Sequence, residues 1–246
     1  LHHKKLSTSC LTTPEYIKDK HLDRISADSG LPLTGRLQYR GPARLISDLM
    51  NPLFLPPLVL AILSWELGLP GSTISWITGL SLLFHTAIPL AVTFYLLKNG
   101  HITSPDLPRR SARTRLFGYS IASCFIAFVG LGATVPVTHP LIAMVALIYL
   151  VNPVIGLLIN LKWKVSIHTA ALSSAGAIFL GLTLPGLTEF TADTFILSLT
   201  ILLLLLPLMI WSRYRLGAHS YAELLGGIAS GFLLTIIELY LFNIMW

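Results

Sequence analysis

The chain alternates long apolar runs with short polar breaks, and that alternation already outlines its elements. Apolar segments occupy roughly residues 45–68, 73–97, 115–135, 139–160, 168–187, 194–212 and 221–244. Each has about the 20 residues that a helix needs to cross a hydrocarbon core. Helices are expected because a backbone in lipid has no water to bond and must satisfy its own N–H and C=O groups. The expected fold is an all-α, multi-pass transmembrane helix bundle of about six to seven spans, filling residues 44–246. Residues 1–43 are polar, basic and turn-rich, with no convincing helical stripe, and are expected to form a cytoplasmic tail. Within the spans, GGIASG near the C-terminus predicts close helix packing through small residues. The proline in LTILLLLLPLMI predicts a kink.

Composition supports the same reading. The 246 residues are 54% hydrophobic and 11% charged, with a mean hydropathy of +0.73, whereas soluble domains carry about 25% charged residues. Cys10 lies in a polar stretch and Cys124 in an apolar one, which suggests neither a disulfide framework nor a cysteine metal site. The opening LHHKKLSTS has no apolar core after its basic residues, so no cleavable secretory leader is expected there. No P-loop, dinucleotide fingerprint or metal-ligand cluster is present. No cofactor, metal or nucleic-acid partner is therefore expected. His85 and His139 stand in or beside spans and read as packed histidines rather than ligands.

Charge placement sets an orientation. Of 17 Lys and Arg, eight lie at or before Arg44, five are Lys98, Arg109, Arg110, Arg113 and Arg115, and the rest are Lys162, Lys164, Arg213 and Arg215. In a seven-span chain all of them fall on one side, and the opposite loops (GLPGS, TVPVTHP, LTEFTAD) have none. The positive-inside rule makes the basic side cytoplasmic, in an inner or plasma membrane. Three polar loops then share one face: Arg109 to Arg115, Ser166 to His168, and Arg213 to Glu223.

Those loops hold complementary chemistry. Arginine offers a planar set of donors suited to phosphate oxygens and stays charged when partly buried. Histidine can act as nucleophile, acid or base near neutral pH. His219 and Glu223 are four residues apart at a helix start and share a face, so the carboxylate can hold the imidazole in one tautomer. His168 follows Ser166 at another helix start, where backbone N–H groups favour a bound phosphate. A nucleophile with its orienting acid, a second histidine for the leaving group and arginines for the charge compose a phosphoryl-transfer site without a metal.

With these residues in place, Ser212-Arg213, five residues, His219, three residues and Glu223 resemble the third motif of the type-2 phosphatidic acid phosphatase superfamily, Ser-Arg-x5-His-x3-Asp. Val165-Ser166-Ile167-His168 is similar to its second motif, Pro-Ser-Gly-His. DLPRRSARTR stands where the first motif, Lys-x6-Arg-Pro, belongs. It resembles the Arg-x-x-Arg form of a divergent, short bacterial branch, which also tends to show a proline-rich approach to its first span, as in NPLFLPPL. The resemblance covers roughly residues 45–240. It implies His219 as nucleophile, Glu223 as its orienting carboxylate and His168 as the acid for the leaving group. Phosphate would be bound by Arg213 and Ser166, together with Arg110 and Arg113 of the first motif.

The sequence departs from the family pattern at Val165, Ile167 and Glu223. The lysine of the first motif is missing, and Lys164 is a candidate substitute for it. Arg215 is an alternative to Arg213 on the phosphate. The expected activity is a lipid phosphatase acting on a phosphate monoester or diphosphate of a phospholipid or isoprenoid, with membrane lipids as partners. The second reading is a family member that has lost turnover. It would serve as a structural, lipid-binding or pigment-binding subunit of a membrane complex, or as a homo-oligomer.

Overall fold

The computed structural model describes residues 33–101, 110–134, 139–183 and 192–245. The chain divides into two compact units, Leu1–Gly41 and Pro42–Trp246. Within the second, the described residues are helical with short turns: α2 (Leu55–Glu66), α3 (Gly71–Lys98), α4 (Arg110–Thr134), α5 (Pro140–Asn160), α6 (Ile167–Leu182), α7 (Ala192–Arg215) and α8 (Tyr221–Met245). A preceding helix, α1, spans Leu33–Leu49. It begins inside the segment expected to be a tail. Leu33, Leu37, Leu45 and Leu49 recur at helical spacing there, a stripe obscured in the sequence by Gly35, Gly41 and Pro42.

Six helical segments are long and apolar enough to cross a membrane: Gly41–Glu66, Gly71–Lys98, Arg113–Ala133, Pro140–Asn160, Ala192–Arg215 and Tyr221–Ile244. The protein is thus an all-α, multi-pass membrane bundle. The segment expected as a span over 168–187 is the exception among the described residues, and its last part, 184–187, lies outside them. Its helix, α6, has only 16 residues, or about 24 Å. Eleven of those residues are buried, so α6 is an inner helix enclosed by its neighbours. A helix that does not face lipid need not match the full hydrocarbon thickness.

The core runs through the bundle on Leu60, Leu63, Ile77, Leu131, Ile142, Ile148, Ile178, Phe179 and Met209. Two helices open into π-helical turns, Leu82–Ala87 in α3 and Ile201–Leu205 in α7. Each turn ends two residues before a proline, Pro89 and Pro207. A proline removes the N–H owed to the carbonyl four residues back and its ring crowds that carbonyl, so the helix widens by one residue. The expected kink in α7 takes this form.

The seam that positions the polar end is α6 against α8. The two helices run parallel from a common end. Ser166 N–H donates to the Glu223 carbonyl (3.0 Å), Thr169 Oγ1 to the Leu224 carbonyl (3.0 Å) and Ser173 Oγ to the Ile228 carbonyl (3.2 Å). Gly227 and Gly231 of GGIASG permit this closeness. A Cβ on Gly227 would meet the Ser166 carbonyl, and one on Gly231 the Ala170 carbonyl. Deeper in, Asn152 Nδ2 donates to Ser174 Oγ (3.2 Å) and Thr235 Oγ1 (3.0 Å), which ties α5 to the same seam. Such hydrogen bonds hold helices together where no water competes.

Candidate active site

The start of α8 is built around one carboxylate. Ser220 is the cap residue before the helix, and its Oγ accepts from Glu223 N–H (3.4 Å) while Glu223 Oε2 accepts from Ser220 N–H (3.0 Å). This reciprocal pair is a capping box. The same Oε2 lies 3.2 Å from His219 Nδ1. The seam fixes Glu223 further, since its own carbonyl accepts from Ser166. A carboxylate set by its helix therefore sets the imidazole.

The tautomer follows from the geometry. An ionised carboxylate can only accept, so Nδ1 carries the proton and Nε2 keeps its lone pair. The turn before His219 is held as well. Gly217 sits at φ +65°, a left-handed conformation that glycine adopts without a side-chain penalty. Lys164 Nζ donates to the Ala218 carbonyl at 2.7 Å and lies 3.9 Å from Glu223 Oε2.

His219 is driven towards its neutral form. Burial is the main cause, followed by the positive charges of Lys164 and Arg213, with Glu223 opposing. The result is a pKa lowered to about 3 from the ordinary 6.5. A neutral imidazole with a free Nε2 is the nucleophilic form.

The predicted residues divide into two groups. His219, Glu223, Lys164 and Arg213 come together, and Ser166 joins them through its backbone. Arg213 is buried near the end of α7, where its Nη1 donates to Ser47 Oγ (2.8 Å) and the neighbouring Ser212 Oγ to the Ala43 carbonyl (2.6 Å). Arg215 points outward and is exposed, and it is not among the charges acting on His219. Ser166 is fully buried and caps α6, its Oγ accepting from Thr169 N–H at 3.4 Å. His168 lies on the first turn of α6, half-buried.

Arg113 belongs to a second group. It is buried near the start of α4, and its Nε donates to Asn160 Oδ1 at the end of α5 (2.9 Å). Arg110 opens α4, but its side chain is outside the described set, and Arg109 lies outside the described residues altogether. The polar ends of α4, α5, α6, α7 and α8 nonetheless lie at one end of the bundle.

Three residues were not singled out from the sequence. Ser220 carried a usable signal, because Ser-x-x-Glu before an apolar run marks a capping box. Asn160 and Ser47 carried none, as their partners stand 47 and 166 residues away. His85, read as a packed histidine, is one: it is buried, 3.0 Å from Ser81 Oγ through Nδ1, with its ring edge-on to Tyr149. Among the described residues no group of three His, Cys, Asp or Glu side chains is placed to hold a metal ion. No family model, curated protein or solved structure matches this chain.

Proposed function

We propose that the protein is a membrane lipid phosphatase that works through a phosphohistidine at His219, at the cytoplasmic face of an inner or plasma membrane. One observation carries the reading: a buried imidazole whose Nδ1 faces a helix-fixed carboxylate at 3.2 Å, with two cations acting on it. The reaction begins with the Nε2 lone pair attacking the phosphorus of a lipid phosphate. The bond from phosphorus to the lipid oxygen breaks, and His168 gives that oxygen a proton. His168 then takes a proton from water, whose oxygen attacks phosphorus as the P–N bond breaks. Inorganic phosphate leaves and His219 is restored.

Throughout, Nδ1–H stays on Glu223, whose negative charge stabilises the phosphorylated ring. Lys164 and Arg213 balance the phosphate, as charge-assisted hydrogen bonds to phosphate oxygens do in water-poor sites. The residue spacing resembles that of the type-2 phosphatidic acid phosphatases, which favours lipid phosphates as substrates. The test is a panel of phosphatidate, phosphatidylglycerol phosphate and isoprenoid diphosphates in detergent, with wild type and His219→Ala side by side. Release of phosphate from at least one lipid, lost in the variant, supports the reading. Equal release in both removes the mechanism, and no turnover with stable co-purifying subunits favours a structural role.

A further inference from the structure

Packing accounts for one ring nitrogen of His85 and not for the other. Nδ1 lies 3.0 Å from Ser81 Oγ, whereas Nε2 is buried without a hydrogen-bond partner among the described residues. The ring stands edge-on to Tyr149, with centroids 6.0 Å apart, and the Tyr149 hydroxyl is likewise buried and unpartnered. His85 is 3% exposed and Tyr149 7%. Two touching aromatic side chains thus each carry a polar atom that the surrounding protein does not satisfy. Buried polar groups are nearly always hydrogen-bonded, so a pair of exceptions in contact points to a shared partner.

The surroundings hold the imidazole in place. His85 lies in the π-helical turn Leu82–Ala87, and both of its chain neighbours are tied to other segments. Ser123 Oγ of α4 donates to the Phe84 carbonyl, and Thr86 Oγ1 donates to the Leu53 carbonyl at 2.6 Å. Such turns inside a helix are frequent at functional positions.

Depth decides what the partner is. At 1.5 Å per residue His85 is about 20 Å from either end of α3, and Tyr149 is about 14–17 Å from the ends of α5. Both sit near the middle of the bundle, where hydrocarbon offers neither donor nor acceptor. An ion is disfavoured, because the polar side chains bonded around His85 (Ser81, Thr86 and Ser123) are neutral and an unpaired charge at this depth is costly. Rings in edge contact leave no room for an organic molecule between them. Water fits, since it needs about 30 Å³ and two to four polar partners. Asn152, one turn along α5 from Tyr149, adds a third: its Nδ2 donates to Ser174 and Thr235, while its Oδ1 is buried and unpartnered.

We propose that His85 Nε2, the Tyr149 hydroxyl and Asn152 Oδ1 form an internal water-binding site at mid-membrane depth. The water links the π-helical turn of α3 to α5 and, through Asn152, to Ser174 and Thr235 of the α6–α8 seam. The core then holds a hydrogen-bonded network across four helices instead of a dry contact. The inference stands apart from the phosphohistidine chemistry and does not need turnover.

The test is hydroxyl-radical labelling of the full chain in nanodiscs. Radicals are made by X-ray pulses in heavy-oxygen water, and labelled residues are mapped by mass spectrometry. Phe179, an aromatic ring 1% exposed in the same core, serves as the dry reference. Tyr149 and His85 are expected to take up heavy oxygen on the order of tenfold faster than Phe179, whose ring has no polar atom to hold water. Uptake at Tyr149 and His85 no faster than at Phe179 overturns the proposal.

Tyr149→Phe keeps the ring and removes the hydroxyl. It should lower His85 labelling severalfold and the melting temperature by roughly 2–4 °C, the worth of one hydrogen bond. A dry contact responds in the opposite sense, because deleting a buried unsatisfied hydroxyl relieves its desolvation. A raised melting temperature, or His85 labelling unchanged in the variant, overturns the proposal.

Discussion

The α6–α8 seam and the α4–α5 seam both reach the polar end of the bundle, but one is closed by glycine and the other is left open. Along α6–α8, Gly227 and Gly231 bring the backbones so close that hydroxyls of one helix bond carbonyls of the other. That contact fixes Glu223 against Ser166 and, through Glu223, the ring of His219. Along α4–α5, an apolar cleft lined by Gly118, Ile121, Ala122, Phe125, Leu150 and Val154 runs between the helices, and Arg113 Nε donates to Asn160 Oδ1 near their polar end. Precise placement of a reacting atom needs the first kind of seam.

The largest effect should come from closing the wrong seam. Gly231→Val drives a side chain into the Ala170 carbonyl, a backbone atom that cannot step aside. Overpacking typically costs about 1–3 kcal/mol, and a clash with backbone lies at or above the top of that range. Thermal unfolding in detergent should show a strongly destabilised protein. Gly118→Ala, in the open seam, should stay within about 1 kcal/mol of wild type, because an added Cβ there meets nothing within 4 Å and alanine has the better helix propensity. Comparable losses at both positions would break the contrast.

Next in size is the split between chemistry and capping at Glu223. Glu223→Ala removes the capping box, at a cost of about 1 kcal/mol, as well as the imidazole's partner. Glu223→Gln keeps an oxygen for Ser220 N–H but loses the charge. Its melting temperature should stay near wild type while turnover falls on the order of 100-fold. Equal turnover in Gln and wild type would reduce Glu223 to a cap.

A third test reads pH dependence. With a pKa lowered to about 3 in the fold and an ordinary value of 6.5 when unfolded, His219 stays neutral where the unfolded chain takes up a proton. Stability must then rise with pH across that window. The contribution is complete above about pH 6.5 and is lost as pH falls towards 3. Replacing His219 with Gln should flatten the stability profile between those limits, as read by unfolding at a series of pH values. A profile identical to wild type would place His219 in water.

Much of this was legible in the sequence, for identifiable reasons. Long apolar runs can fold in lipid only as helices, so the architecture followed directly from pattern. The length of α6 did not, because burial inside the bundle relaxes the need to span, and burial is invisible in a hydropathy pattern. His219 and Glu223 were visible through their four-residue spacing, which any helix converts into contact. Arg213 and Arg215 were indistinguishable in sequence. They separate only when α7 turns one inward to Ser47 and the other to solvent. Asn160 was hidden because its meaning depends on a partner on another helix.

The central claim is that His219 accepts the phosphoryl group. Its most direct test is rapid acid-free quenching of the enzyme with a turning-over lipid phosphate, followed by mass-spectrometric mapping of phosphohistidine. The account predicts a phosphoryl adduct on the His219 peptide, accumulating further in His168→Ala, whose loss of the acid–base group slows hydrolysis. Phosphate release with no adduct on His219 in either protein would contradict it.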